Sequence, residues 1–250
     1  MIVLGFDTST PATAVAVRLG DGTTTQARDD PPAGAHPGHA TRLLDMAHEL
    51  LAAAGVAWSQ VDRIAVGLGP GTFTGLRVGV ATARGLAQSL GVELVGVSSL
   101  QALAVAALST EAMDLPRVLA VIDARRSEVF AAAYQRDAQG LAHELAPARA
   151  LPPQELASVI AEANEALAAE QPRWLAVGDG AVRFRSELQD AGIPTAPAGS
   201  PLHLISAASI CELGGSAAAT SIDGIVPDYR RRPDAELALE GVGTARSVLI

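Results

Sequence analysis

Apolar and polar positions alternate along the chain in a repeated order. Residues 2–7 form a short apolar run closed by Asp7, which predicts a buried strand. Residues 14–19 read as a second strand, Gly20-Asp21-Gly22 as a hairpin turn and residues 23–27 as a third strand. Pro31, Pro32, Gly34, Pro37 and Gly38 mark a loop. Residues 39–54 change period: Leu43, Met46, Ala47, Leu50, Leu51 and Ala54 share one face of a helix. A strand at 61–68, a glycine turn, a helix at 72–90, a strand at 92–97 and a helix from Ser98 to 108 complete this half.

The second half repeats the order. Strands are predicted at 117–123 and 128–135, a turn at 136–140 and a third strand at 141–145. A helix at 152–169, a strand at 174–177, a helix at 180–191, a short strand at 193–195 and a helix at 201–213 follow. Each half reads βββαβαβα, and each opens on an apolar strand ending in aspartate, Asp7 and Asp123. A duplication is the economical explanation. The pattern resembles an α/β fold of two tandem ribonuclease-H-like (actin-like, ASKHA) βββαβαβα domains facing across a cleft, the architecture of sugar kinases and heat-shock ATPases. The expected division is 1–108, 109–200 and a tail at 218–250, with the 201–217 helix free to pack back on the first domain. A fold of this kind does not by itself give function.

The most informative segment is Gly67-Leu68-Gly69-Pro70-Gly71-Thr72-Phe73-Thr74-Gly75-Leu76-Arg77, between a strand and a helix. A glycine turn at a helix N-terminus can hold an anion. It has no Gly-Lys-Ser/Thr ending and does not fit G-x-G-x-x-G. Within the helix Gly75, Gly79 and Ala83 recur at every fourth position, with Val78, Thr82 and Gly85 beside them. Glycine costs a helix about 1 kcal/mol relative to alanine, so the stripe calls for a close packing partner. That partner is either the chain's own sheet or a helix of another subunit.

Composition narrows the classes. Hydrophobic residues make up 49% and charged residues 18%, enough for a substantial core. The net charge of −9 and 3% aromatics argue against a stand-alone nucleic-acid binder. A single cysteine, Cys211, excludes a disulfide framework and a thiolate zinc site, and its apolar surroundings read as core. No apolar run reaches the about 18 residues of a membrane span, and the N-terminus has no basic signal region. A cytoplasmic location with no membrane contact is the expectation.

The candidate chemical sites are incomplete. The first turn, Asp7-Thr8-Ser9-Thr10-Pro11, has no glycine where an actin-like fold brings backbone to phosphate. Its counterpart, Asp123-Ala124-Arg125-Arg126-Ser127-Glu128, also has none, and Asp123 there suits a turn cap. Asp7, Thr8, Ser9 and Asp123 therefore mark at most a vestigial nucleotide site. His36, His39 and His48 do not assemble a metal triad at their spacing, so no metal site is expected. Ser98-Ser99 lacks a G-x-S-x-G setting and suits helix capping, so no catalytic residue is assigned. Arg230-Arg231-Arg232 is the one basic run, read as a solvated tail, with a partner or RNA phosphate contact as the minority reading.

The block GLGPGTFTGLRVGVATARGLAQSLGVELVGVSSLQALA resembles the signature of the TsaB (YeaZ) family. The resemblance extends to IVLGFDTSTPATAVAV, to His39 followed by Arg42-Leu43-Leu44, to VIDARRSEVFAAAY and to Pro227-Asp228-Tyr229-Arg230-Arg231. It is weakest over 145–220. It implies a role in making N6-threonylcarbamoyladenosine at position 37 of ANN-reading tRNAs. In that process a synthase makes threonylcarbamoyl-adenylate, the paralogue TsaD transfers the group, and the ATPase TsaE assists. The implied role here is a non-catalytic dimerisation subunit that binds TsaD, pairs with itself when alone and meets tRNA only through the complex. No cofactor is required; weak ATP or ADP binding, chiefly with TsaD, is compatible. The implied partner face holds His39, Leu43, Phe73, Thr74, Gly75, Leu76, Arg77, Gly79, Val80 and Ala83. Two other readings compete. An actin-like ATP-dependent phosphotransferase would need phosphate hairpins and an adenosine turn, for which Gly178-Asp179-Gly180 and Gly214-Gly215 are the late candidates. A metallopeptidase would need a metal triad.

Overall fold

The computed structural model describes residues 1–32, 34–110, 117–137, 141–167 and 173–230. Two sheets organise it. The first has the order β3-β2-β1-β4-β5, built from β1 (Val3–Asp7), β2 (Thr13–Arg18), β3 (Thr24–Asp29), β4 (Arg63–Gly69) and β5 (Glu93–Ser98). The second has the order β8-β7-β6-β9, from β6 (Arg117–Arg125), β7 (Glu128–Arg136), β8 (Ala142–Leu151) and β9 (Leu175–Val177). In both, the first three strands form an antiparallel meander and the first strand also pairs in parallel with a later one, β1 with β4 and β6 with β9. That shared topology supports the duplication.

Helices α1 (His39–Ala53) and α2 (Phe73–Leu90) cover one face of the first sheet. Their apolar stripes, with Leu43, Met46, Leu51, Val80, Ala83 and Ala87, close a core with Leu4, Phe6, Val15, Ile64 and Val66. A second core lies under α4 (Leu156–Leu167), α5 (Asp179–Arg183) and α6 (Arg185–Asp190) on the outer face of the second sheet.

The two inner helices are exchanged between the sheets. Helix α3 (Ser99–Leu108) follows β5 but packs mainly on β6, β7 and β8. Helix α7 (Ala207–Ser216) comes late in the chain but packs on β1, β2 and β4. Cys211 of α7 donates its S–H toward the carbonyls of Val3 and Ala16, and burial pushes its thiol pKa up to about 12. Gly5 and Gly214 permit this contact; a side chain at either would strike Cys211 or Ala65. One continuous core therefore runs from Val3 and Val97 through Leu103 and Ile210 to Phe130 and Tyr134.

Arg63 at the start of β4 fastens α7 from below. Its Nη1 donates to the carbonyls of Gly214 (2.8 Å), Gly215 (3.2 Å) and Ala217 (2.9 Å), groups the helix end leaves without internal partners. Glu93 on β5 holds the same guanidinium.

The first half matches the pattern reading closely; the second departs from it. Strand β8 runs on to Leu151 rather than stopping at 145. The 180–191 helix is two helices broken at Phe184, whose ring is buried in the outer core. The fifth strand is reduced to a single bridge between Ala176 and Thr195. The last helix begins at Ala207, after a 3₁₀ turn at Pro201–His203. Parts of the 136–140 turn and of the 152–169 helix lie outside the described residues. Among the described residues no helix is long and apolar enough to cross a membrane.

Candidate functional site

The structure brings Asp7, Thr8 and Ser9 together and closes them off. Asp7 Oδ1 accepts from the Ser9 N–H (2.8 Å) and hydroxyl (2.7 Å), and Oδ2 from the Ser99 hydroxyl (2.5 Å). The Ser99 oxygen in turn accepts the Gly69 N–H (3.2 Å). Thr8 donates to the Gly75 carbonyl (2.8 Å), and the Thr72 N–H to the Ser9 carbonyl (2.7 Å). All three turn residues are at most 1% exposed. Their polar atoms are directed into the protein.

A glycine ladder makes this closure possible. A Cβ at Gly67 would strike the Asp7 carboxylate, at Gly71 the Ser9 backbone, at Gly75 the Thr8 carbonyl and at Gly79 the Thr8 hydroxyl. The glycine turn and the first half of α2 are thus a socket for the β1–β2 turn. The close approach demanded by the Gly75–Gly79–Ala83 stripe is met inside the chain, which corrects the expectation that Gly79 lies against a partner backbone.

The second turn is also tied to protein groups. Asp123 Oδ2 pairs with Arg183 (3.1 Å) and Arg125 (3.4 Å), and Oδ1 accepts the Arg125 N–H (2.9 Å), the turn-capping role its residue type suggests. Asp179 accepts the Asp123 N–H (3.0 Å). Burial raises the Asp179 carboxyl pKa, and the Asp123 charge adds to this against the Asp123 and Gly180 N–H groups and Arg125.

Between the halves lies a cleft of about 200 Å³. Thr10, Arg28, Asp30, Asp179 and His203 line it, not Asp7, Thr8, Ser9 or Asp123. Ligand pockets usually measure about 300–1,000 Å³, so the cleft is narrow for a nucleotide. His203 escaped the sequence reading. Its Nε2 donates to the Ala196 carbonyl (3.1 Å) and its Nδ1 accepts the Gly178 N–H (3.1 Å), which fastens the Gly178-Asp179-Gly180 turn to the wall. That glycine-flanked turn was the one signal pointing there.

The other histidines separate. His39 is buried at the first position of α1, with Nδ1 2.9 Å from the Thr13 hydroxyl and no hydrogen bond to Nε2. Burial lowers its pKa, opposed by the Asp7 and Asp29 charges. His48 accepts from the Trp58 indole (3.4 Å), and His36 is exposed. Among the described residues no three His, Cys, Asp or Glu side chains are grouped to hold a metal ion. Ser98 accepts the Gln101 N–H and caps α3, as expected.

Of the residues assigned to a partner face, His39, Leu43, Gly75, Leu76, Gly79, Val80 and Ala83 are buried in the chain's own fold. Thr74 and Arg77 are exposed and Phe73 half-buried. A different row of α2 looks outward: Thr74, Val78, Ala81 and Gly85. Their spacing of four, three and four keeps them on one helix face. A Cβ at Gly85 would meet nothing within 4 Å among the described residues. On neighbouring α1, Leu44 is 48% exposed.

The end of the described chain also differs from expectation. Arg230 is exposed, yet it is held: it pairs with Asp228 (2.7 Å) and donates to the Ala148 carbonyl (2.7 Å). Arg231 and Arg232 lie outside the described residues.

Residues 30–238 match the family model described as TsaD: tRNA N6-adenosine threonylcarbamoyltransferase. The chain is 36% identical over 180 residues to the tRNA threonylcarbamoyladenosine biosynthesis protein TsaB of Escherichia coli, covering 72% of each chain. The solved structure of YeaZ from Pseudomonas aeruginosa superposes with a TM-score of 0.72 at 30% identity, over 91% of this chain and 99% of that one. A ROK hexokinase from Thermus thermophilus, at TM-score 0.51 and 15% identity over 85% of this chain and 99% of its own, shares the fold alone.

Proposed function

The chain belongs to the TsaB (YeaZ) family, and on that premise we propose that it is the non-catalytic pairing subunit of the machinery that places threonylcarbamoyl on N6 of adenosine 37 in ANN-reading tRNAs. In this reading it binds TsaD, the paralogue that carries out the transfer, and holds it in its working form. TsaE joins the complex, tRNA is met only through it, and the isolated chain pairs with itself. No cofactor is required of this subunit.

The observation that carries the proposal is the outward row of α2. Gly85 lies inside a helix, where glycine is unfavourable by about 1 kcal/mol, and no neighbour among the described residues accounts for it. A helix of a second chain with the same fold would account for it, because small residues at 74, 78, 81 and 85 let two helix axes come close. The match of this chain to a TsaD model makes TsaD a partner of related shape, suited to an approximately two-fold pairing. The reading of the chain as non-catalytic is supported by the closed β1–β2 turn, since the side chains of Asp7 and Ser9 are buried and bonded to each other, and Asp7 is bonded to Ser99 as well.

Co-purification with the cognate TsaD, with and without ATP, tests the pairing. A stable complex is expected, and persistent separation of the two chains at tens of micromolar would overturn the reading. Incubation of this chain with tRNA and threonylcarbamoyl-adenylate in the absence of TsaD is expected to give no modified adenosine.

A further inference from the structure

Helix α2 begins without the usual supports. Thr72 stands at its N-cap but its side chain makes no capping hydrogen bond, and the first turn holds no acidic residue. Gly75 weakens that first turn from within. Such an end is prone to fray. Yet the outward row starts there, at Thr74.

The β1–β2 turn holds this end from inside through Thr72 and Gly75, and the segment after α7 adds a second hold from outside. It runs antiparallel along the flank of α2. Asp223 pairs with Arg84 (2.9 Å), and Ile225 is buried in the core under α1 and α2. The Asp228 N–H donates to the Leu68 carbonyl (2.8 Å), just before the glycine turn. The Tyr229 ring lies 5.0 Å from Phe73 and its hydroxyl accepts from Arg77 Nε (3.0 Å). The Arg77 guanidinium stacks 3.6 Å over Phe73. Arg230 then crosses to β8, so the hold is anchored on the second sheet.

We propose that residues 225–230 are a clamp that steadies the N-terminal turn of α2 where no side chain caps it, with Tyr229 and Arg230 positioning the helix face that a partner meets. The clamp stands on the geometry of this chain; its effect on pairing rests on the function proposed above. The aromatic pair and the stacked cation fix two of the first helical residues, Phe73 and Arg77, one turn apart. Anchoring on Ala148 prevents the clamp from moving with the helix end.

Hydrogen exchange on the full chain tests the clamp, comparing wild type with Tyr229→Leu, Tyr229→Phe and Arg230→Gln. Amides 76–80 are expected to exchange about threefold to tenfold faster in Tyr229→Leu, as loss of an aromatic pair implies. Arg230→Gln should give a smaller increase, and Tyr229→Phe, which keeps the ring, should stay near wild type. Unchanged exchange at 76–80 in both the Leu and Gln variants would overturn the clamp. Calorimetric titration with TsaD reads the second half of the proposal, with affinity expected to fall by a similar factor in Tyr229→Leu and to return in Tyr229→Phe. Faster exchange with wild-type affinity would overturn the positioning role. A wild-type chain that does not bind TsaD would overturn the pairing function itself, and the exchange data would still decide the clamp.

Discussion

Asp7 and Ser99, ninety-two positions apart in the chain, are joined by a 2.5 Å hydrogen bond from the serine hydroxyl to Oδ2 of the carboxylate. Because the same serine oxygen accepts the Gly69 N–H, one hydroxyl ties the end of β1, the glycine turn and the start of α3.

Ser99→Ala should therefore destabilise the fold. It leaves the Asp7 Oδ2 and the Gly69 N–H buried without their partner, which costs about 1–3 kcal/mol. Urea denaturation measures this. A variant as stable as wild type would mean that the turn is not held by these bonds.

His39 should make stability depend on pH. Burial holds its imidazole below the usual 6.5, so the native state keeps it neutral while the unfolded chain protonates. The stability this contributes is present above 6.5 and is lost as pH falls through the lowered native value. The melting temperature of wild type should fall between about pH 7.5 and about pH 5.5, and His39→Gln should flatten that part of the profile. A variant with an unchanged slope would assign the pH dependence to other groups.

The first half was legible because β1, β2 and β4 are short apolar runs buried on both faces, and α1 and α2 each bury one face at a period of 3.6. Residues 39–54 and 72–90 were read as helices that the structure ends within a residue or so of those bounds. The break at Phe184 was hidden because the apolar pattern continues across it. The exchange of α3 and α7 between sheets depends on contacts far apart in sequence, and no local pattern carries it. The site was partly legible in the same way. The absence of glycine at 8–10 was visible, but only the structure shows Asp7, Thr8 and Ser9 turned inward and Ser99 bonded to Asp7. The small-residue stripe was seen, but spacing alone does not say which way it points. Two such rows lie side by side on α2, Gly75–Gly79–Ala83 inward and Thr74–Val78–Ala81–Gly85 outward.

The β6–β7 turn offers a gain in stability. Arg125, Arg126 and Ser127 have φ of 66°, 50° and 58°, the left-handed region that favours glycine. Arg126 and Ser127 are the two central residues between the paired Arg125 and Glu128, where a two-residue hairpin prefers Asn-Gly. Ser127→Gly should stabilise the protein by about 1 kcal/mol, the left-handed cost relieved less the entropy glycine adds to the unfolded chain. A thermal melt showing a loss instead would mean that the serine side chain contributes more than its backbone strain costs.

Two glycines of α2 give opposite forecasts when each is changed to leucine. At Gly79 the new Cβ would press on the Thr8 hydroxyl and reach Val66 at 3.8 Å, within the socket for the β1–β2 turn. Overpacking of this kind costs about 1–3 kcal/mol, more than the about 1 kcal/mol that leucine returns in helix propensity. Gly79→Leu should lower the melting temperature, and any loss of pairing should follow from damage to the fold. At Gly85 there is nothing within 4 Å to strike, so leucine should leave the melting temperature unchanged or raise it. A leucine on the outward row would nevertheless hold a partner helix away. An interface penalty of about 1.4 kcal/mol or more means at least a tenfold weaker complex with TsaD. Melts and a pull-down on the same two variants separate fold from interface. A folded Gly85→Leu chain that binds TsaD with wild-type affinity would remove the outward face of α2 from the pairing surface.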